Sequence, residues 1–356
     1  MIRVERRANV PTALIIAASV IAALATLIIT VLLSALAGVS AFSFIGLMFS
    51  AAFGSPAAII DLLVLAAPLM LTGLASALTF RVGLINLGAE GQIIAAALAA
   101  LVISARAIPV PTFAIVPLAI LAGVMTGALS VAAVSVLKLK FRADEAVMTI
   151  LLNIVMVFAL QLLTGAMTGS LPAMGSAQVL PMMNAADFPD WGQLLHRYLE
   201  PLVAVVACLL SFAVIRFTIW GLDIRATGGN AVAARFAGIH VNLVRLNVAL
   251  FSGALVGLAG TGPVIAAGGG AAPSLTLGLG YAGVSVAFLA ALEPVGVIPA
   301  AFFVSVVLAG IKAANQEMGL PLALGSIAAA LLLLAALVAH GSVRYRLRPR
   351  SRSVTS

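Results

Sequence analysis

Residues 221–260 read GLDIRATGGNAVAARFAGIHVNLVRLNVALFSGALVGLAG, and the rest of the chain is organised around this polar stretch. Arg225, Arg235 and Arg245 lie in it, with Arg216 just before, between two long apolar runs. Unpaired charges are too costly to bury in hydrocarbon, so the segment is predicted to be a loop outside the bilayer. Because an excess of arginine is typical of cytoplasmic loops, we expect this loop on the cytoplasmic side.

A short helix is predicted inside this loop. Asn230 is a favourable N-cap for the helix-forming residues that follow it, and Gly238 is a typical helix end. We expect an amphipathic helix that lies under the membrane and transmits force from a soluble partner to the spans on either side.

The composition excludes several classes of protein. Of the 356 residues, 63% are hydrophobic and only 8% are charged, which is far too apolar for a soluble globular domain. The net charge of +8 does not indicate a nucleic-acid partner, because the basic residues lie in short loops and in the tail.

The sequence contains no residue pattern that would bind a metal or a nucleotide. Cys208 is the single cysteine and the three histidines are far apart in sequence, so we predict neither a disulfide nor a metal site. No Gly-Lys pair occurs, which excludes a phosphate-binding loop of the Walker type. If ATP drives this protein, another chain must bind it.

The charge-free runs predict an all-α, polytopic membrane protein with both termini in the cytoplasm. Ten spans are expected, at about residues 11–37, 57–80, 84–105, 112–137, 145–168, 199–219, 246–267, 281–292, 295–311 and 321–340. All of the 19 basic residues except Arg106, Arg197 and Lys312 then lie inside, as the positive-inside rule requires.

This topology divides the chain into two parts. Residues 1–341 form a transmembrane domain with the polar loop at about 221–245, and residues 342–356 form a basic cytoplasmic tail. Residues 38–55 are expected to be an outer loop.

Glycine spacing indicates close helix packing. Small residues four positions apart share one helix face and allow backbones to approach in lipid. The pairs are Gly123 with Gly127, Gly165 with Gly169, and Gly253 with Gly257.

A second polar stretch, FRVGLINLGAEGQ at residues 80–92, opens the third predicted span. Asn86 is placed to cap its helix, and Glu90 falls in the first turn, where the positive helix end favours a carboxylate. An ionisable residue at membrane depth is a functional candidate. We therefore predict a substrate pathway lined by Asn86, Glu90, Gln92 and, from the fifth span, Asn153; helix–helix hydrogen bonding is the alternative for each.

Both polar stretches resemble those of ABC importer permeases. Ala233-Ala234, three residues and then Gly238 resemble the core of the family's coupling loop, although Val232 stands where the family has an acidic residue. Residues 80–92 resemble the FNIGAEGQ signature of the nucleoside branch. Residues 145–153 resemble its EVISTIMLN string, and residues 280–296 resemble GFxGIAVALLGxNPxG, with Glu293 in place of asparagine.

The resemblance implies a type II-like permease subunit in the bacterial inner membrane, with no catalytic residues and no cofactor of its own. It implies three kinds of partner: an ABC ATPase that binds ATP and magnesium, a second permease that is a paralogue, and an extracytoplasmic substrate-binding lipoprotein. The residues expected to contact the ATPase are Asn230, Ala233, Ala234, Arg235 and Gly238.

Other functions compete with nucleoside import. A simple-sugar ABC permease is the nearest alternative. A proton-coupled secondary transporter would use Asp61, Glu90 or Glu293 as proton carriers and would need no ATPase. An intramembrane enzyme finds little support, because no Ser/His dyad or metal cluster occurs at reactive spacing.

Overall fold

The computed structural model describes residues 2–6, 11–104, 111–141, 144–168, 189–268 and 278–349, and nearly all of them are helical. A π-helical turn, Leu195–Leu199, joins the seventh helix to the eighth, and the two strands are β1 (Ile2–Arg6) and β2 (Tyr345–Pro349). The helices are α1 (Thr12–Leu36), α2 (Ala41–Phe53), α3 (Pro56–Arg81), α4 (Ala89–Ser104), α5 (Thr112–Phe141), α6 (Glu145–Thr168), α7 (Asp190–Leu194), α8 (Glu200–Phe217), α9 (Ile219–Gly229), α10 (Ala231–Phe236), α11 (Val241–Ala266), α12 (Leu279–Leu289), α13 (Pro294–Met318) and α14 (Ala323–Arg344).

Membrane-spanning length separates these helices into two groups. Within the described residues, eight helical segments are long and apolar enough to cross a membrane, and they correspond to eight of the ten predicted spans. The third and eighth predicted spans are shorter, because α4 has 16 residues and α12 has only 11. A complete crossing takes about 20 helical residues, so α12 reaches only part of the way.

The expected outer loop at residues 38–55 is wrong for most of its length, because α2 forms there. Ser40 caps this helix, its hydroxyl accepting a hydrogen bond from the backbone N–H of Ser43. Phe44 and Met48 are buried on one face of α2, which packs against α13. Their four-residue spacing is the helical signal that the small and aromatic composition obscured.

Two groups of four helices repeat the same packing in opposite directions. In each group a long helix is followed by a short one and two further long ones: α3 to α6, and α11 to α14. The first long helix of each group packs on the short helix of the other group: α3 on α12, and α11 on α4. Within each group the short helix packs on the last long helix: α4 on α6, and α12 on α14. Arg245, near the start of α11, donates a 3.2 Å hydrogen bond to the carbonyl of Val82, just past the end of α3. The two leading helices are therefore antiparallel, as in the inverted repeats of many transporters.

The glycine pairs of α5 and α11 bring these two helices into direct backbone contact. A Cβ atom built on Gly127 would lie 2.7 Å from the backbone nitrogen of Gly257, and one built on Gly257 would lie 2.9 Å from the Cα of Val124. Gly253 packs against the same stretch of α5, so both predicted pairs serve backbone contact. The third pair ends at Gly169, which lies outside the described residues.

Both ends of the chain lie at one end of the helical bundle. Strand β1 pairs antiparallel with β2, and Ser19 of α1 is within hydrogen-bond distance (3.3 Å) of His340 of α14. His340 lines a cavity together with Leu292, whose carbonyl accepts a hydrogen bond from Arg81. We call this end of the bundle the Arg81 face. The described residues nearest the two termini therefore share one side of the bundle, and the cytoplasmic location of the termini stays a prediction. Residues 350–356 of the predicted tail lie outside the described part of the chain.

Candidate functional site: a polar junction inside the bundle

The short helices α4 and α12 meet end to end inside the bundle. Residues 84–88 are not helical and lead from the end of α3 back into the bundle, where α4 begins. A segment of this length spans about 17 Å when extended. The 11 residues of α12 span about 16 Å before the chain reaches Leu292 at the Arg81 face. Both lengths are about half of the roughly 30 Å hydrocarbon core, so the two N-termini meet near half depth.

Glu90 joins the two helix N-termini. It lies in the first turn of α4, as predicted, and its carboxylate accepts hydrogen bonds from the backbone N–H groups of Gly278 at 2.5 Å and Gly280 at 2.7 Å. These N–H groups are among those that the start of α12 leaves without helical partners. One carboxylate therefore faces two positive helix ends, which is a favourable place for a negative charge. Glu90 is almost fully buried.

Asn86 and Gln92 form a second buried pair. The Gln92 side-chain amide donates to Asn86 Oδ1 at 3.0 Å, and the same oxygen accepts from the Gly88 N–H at 3.0 Å. The Gly88 carbonyl in turn accepts from the Gln92 N–H, so Gly88 holds the N-cap position. The prediction that Asn86 caps α4 is therefore wrong: Asn86 braces the chain just before the helix, and Gly88 is the N-cap.

Three polar side chains of α6 hold residues 84–88. Glu145 Oε1 accepts from the Ile85 N–H at 2.9 Å, and Thr149 Oγ1 accepts from the Leu87 N–H at 3.2 Å. Asn153 donates to the Leu87 carbonyl at 2.9 Å. Because Glu145, Thr149 and Asn153 are four residues apart, they share one face of α6. The backbone of a non-helical segment is thereby hydrogen-bonded inside the bundle.

Asn153 also ties α6 to both short helices. Its Oδ1 accepts from the Gly91 N–H at 2.8 Å, and its Nδ2 lies 3.0 Å from the Tyr281 hydroxyl oxygen. A Cβ atom on Gly91 would lie only 2.9 Å from the Asn153 backbone, so glycine allows this approach. We call Asn86, Glu90, Gln92, Asn153 and Tyr281, with the N–H groups of Gly278 and Gly280, the midplane junction.

The four predicted pathway residues thus come together in one cluster, and all four are buried by their own contacts. Their role in a substrate pathway stays a prediction. Sequence analysis missed three contributors, Glu145, Thr149 and Tyr281. The signal for the first two was present, since polar residues every four positions on an apolar helix mark one buried polar stripe.

A second cluster lies at the Arg81 face. Arg81 forms an ion pair with Glu293, and its Nε donates to the Leu292 carbonyl at 3.0 Å. Ala291 and Leu292 have φ angles of 54° and 64°, in the left-handed region that such residues rarely adopt. Arg81 therefore fastens the end of α3 to a strained turn between α12 and α13.

The predicted short helix of the polar loop is confirmed as α10. The Asn230 side chain accepts from the N–H groups of Val232 and Ala233, and Gly238 follows the helix with a φ of +85°. Ala234 is buried, whereas Ala233, Arg235 and the large side chains of Val232 and Phe236 are exposed. The exposed fraction of Phe236 is 91%, so α10 presents an apolar surface at the Arg81 face.

Helix α9 links α10 to α3. A Cβ atom on Gly228 would overlap the carbonyl oxygen of Arg81, so the two backbones are in direct contact. The next residue, Gly229, has open space around it. Helix α9 is therefore in contact with the end of α3, from which residues 84–88 lead to the midplane junction.

Several known proteins with similar sequences are ABC transporter permeases. Residues 58–337 match the family model described as branched-chain amino acid transport system / permease component. The chain is 31% identical over 312 residues to a glucose ABC transporter permease of Haloferax volcanii, covering 85% of this chain and 81% of that protein.

Two further relatives carry nucleoside names. A guanosine ABC transporter permease of Bacillus subtilis is 28% identical, with 75% of this chain and 77% of that protein covered. A nucleoside ABC transporter permease of Lactococcus lactis is 27% identical, with 77% of each chain covered. No solved structure matches.

Proposed function

We infer the function from the family: the chain belongs to the branched-chain amino acid transport system permease family and is a membrane protein. We propose that it is the membrane-spanning subunit of an ATP-driven importer of nucleosides. In this role it binds no cofactor, and ATP with magnesium is hydrolysed on a separate ABC ATPase subunit.

The observation that carries this proposal is the exposed apolar surface of α10. Large apolar side chains that stand out from a polar loop are typical of a protein–protein contact. Helix α10 lies between the long helices α8 and α11, and α9 contacts Arg81 directly. A soluble ATPase that binds α10 can therefore transmit a displacement through α9 and Arg81 to α4 and α12, whose N-termini meet at half depth. Asn230, Ala233, Ala234, Arg235 and Gly238 are its proposed contact segment, and the Arg81 face is the cytoplasmic side.

The remaining partners follow from the same role. A substrate-binding lipoprotein delivers substrate to the opposite end of the bundle, and a second, paralogous permease completes the pathway. Nucleotide binding shifts the population between outward-open and inward-open states. The favoured substrate is a nucleoside, because two of the relatives described above are nucleoside permeases and the signature at residues 80–92 resembles the nucleoside branch. Because another relative is a glucose permease, a simple sugar is the second candidate substrate.

The test is uptake by the complete transporter in proteoliposomes. We expect guanosine import that requires ATP inside the vesicle and the ATPase subunit, and we expect glucose import to be weaker. Import driven by a proton gradient without the ATPase would refute the proposal in favour of a secondary transporter. Preferred import of glucose would replace the nucleoside with a sugar.

The coupling role has its own matched pair of variants. Gly228→Ala puts a methyl group onto the Arg81 carbonyl, whereas Gly229→Ala puts the same group into open space. Overpacking of a close contact displaces backbone. We expect Gly228→Ala to lower substrate-stimulated ATP hydrolysis several-fold while the complex still assembles, with Gly229→Ala close to wild type. Equal hydrolysis in the two variants would contradict transmission through α9.

A further inference from the structure

Tyr281 is the one member of the midplane junction with a large exposed surface. Its exposed fraction is 49%, whereas Asn86, Glu90, Gln92 and Asn153 are all at 6% or less. The four buried side chains form hydrogen bonds with the backbone, with one another and, through Asn153, with the Tyr281 hydroxyl. Among the members of the junction, the ring of Tyr281 is therefore the surface accessible to another molecule, whereas the amides and the carboxylate are buried.

The ring is held at two points. At the backbone, Tyr281 follows Gly280, whose N–H is bound by Glu90 and which packs directly against the Glu90 backbone. At the other end, the phenol oxygen accepts a hydrogen bond from Asn153 of α6. Fixing both the first turn of α12 and the hydroxyl restricts the side-chain torsions. The result is a flat aromatic surface that is already oriented before a substrate arrives, which lowers the entropy cost of binding.

Asn86 and Asn153, two of the buried members of the junction, are flanked in sequence by exposed apolar side chains. The exposed side chains next to the junction in sequence are aliphatic: Ile85 beside Asn86, and Ile150 and Ile154 beside Asn153. A phenol can also donate its own hydrogen while its oxygen accepts from Asn153. The exposed chemistry of the junction is thus one aromatic ring with one hydroxyl.

We propose that Tyr281 is a specificity-determining residue on which the base of a nucleoside stacks at half depth, and this rests on the nucleoside function proposed above. Every nucleobase has a π face, and stacking on an aromatic side chain stabilises the bound base. A free sugar offers no such face. The ring therefore favours nucleosides over hexoses at the point where the two short helices meet.

The experiment measures guanosine uptake by the complete transporter with its ATPase and binding protein, in proteoliposomes. The informative variant is Tyr281→Leu, which keeps apolar bulk and removes the ring. We expect the KM for guanosine to rise on the order of ten-fold, because loss of one base–aromatic stack has about that effect. Tyr281→Phe keeps the ring and should stay within a few-fold of wild type. Tyr198→Ala removes a tyrosine of similar exposure in the π-helical turn and should leave guanosine uptake unchanged.

The outcomes separate this inference from the proposed function. If wild type imports guanosine and Tyr281→Leu does so with an unchanged KM, Tyr281 faces lipid or another subunit and the inference is overturned. If wild type imports no nucleoside, the proposed function fails and the inference fails with it. ATP hydrolysis and the elution volume of the purified complex show that each variant is folded.

Discussion

The two inverted halves have the same packing plan but different hydrogen bonding. In the first half, residues 84–88 are held by three side chains of α6, and α4 begins against that fixed segment. In the second half, among the described residues, the start of α12 is held by Glu90, which belongs to the first half. The bond from α12 to its neighbour α14 is made by the hydroxyl of Ser285, which donates to the carbonyl of Ala329.

This difference assigns different mechanical roles to the halves. Buried polar networks that are fully satisfied fix a structure, because every member loses a partner if it moves. The hydrogen bonds between α6 and residues 84–88 in the first half form such a network. The start of α12 in the second half depends on the first half for its polar contacts at half depth. A few hydrogen bonds therefore control the position of α12. Three sets of contacts can be broken selectively, those of Glu90, those of Asn153 compared with Ser285, and the ion pair of Glu293, and the expected effects fall in that order.

The largest effect is expected from Glu90→Ala. It leaves the N–H groups of Gly278 and Gly280 without acceptors inside the bundle, and each unsatisfied buried group costs about 1–3 kcal/mol. We expect a large fall in the melting temperature of the detergent-solubilised protein, with Glu90→Gln intermediate because one acceptor oxygen remains. Glu317→Ala, at an exposed glutamate, is the control. A Glu90→Ala protein with the same melting temperature as the wild type would show that α12 does not depend on the first half.

A smaller effect is expected from Asn153→Ala, compared with Ser285→Ala. Asn153 bonds the Leu87 carbonyl, the Gly91 N–H and the Tyr281 hydroxyl, so its loss should cost about 2–3 kcal/mol. Ser285 donates to carbonyls within helices, which keep their helical partners, so its loss should cost less than about 1 kcal/mol. Denaturant midpoints of the two variants check the ranking. Equal destabilisation by the two substitutions would contradict the different mechanical roles assigned to the two halves.

The smallest effect is expected from Glu293→Asn at the Arg81 face. The Glu293 side chain is more than half exposed, and exposed ion pairs contribute about 0–1 kcal/mol. We expect almost no loss of stability at high salt and a few tenths of a kcal/mol at low salt, because salt screens the pair. Melting curves at two ionic strengths measure this. A loss above about 2 kcal/mol that salt does not change would mean that the ion pair itself holds the strained turn at Leu292.

Much of the fold follows from local rules that the sequence displays. The eight long apolar helices, the cap at Asn230 and the helix end at Gly238 depend on residues close together in the chain, and all were predicted. The glycine pairs of α5 and α11 were likewise visible as small residues on one helix face. Glu90 was placed in the first turn of α4 for the same reason.

The errors arose where a local rule was not enough. Residues 41–53 looked like a loop because their composition is small and aromatic, yet burial of Phe44 and Met48 against α13 makes them a helix. Asn86 looked like a cap for α4, but its oxygen is shared between Gln92 and the Gly88 N–H. In both cases a contact from elsewhere in the structure decided between two conformations that the local residues permit.

The sequence by itself determined that this is a largely helical membrane protein with a polar segment between apolar spans, because hydrocarbon excludes unpaired charge and favours uninterrupted apolar helices. Only the tertiary structure decided what the buried polar residues do. Glu90 and Gly280 are nearly two hundred positions apart, and no local pattern states that a carboxylate of one short helix will satisfy the open N–H groups of another. That choice is made by the inverted packing of the two halves, which brings both helix N-termini to the same depth.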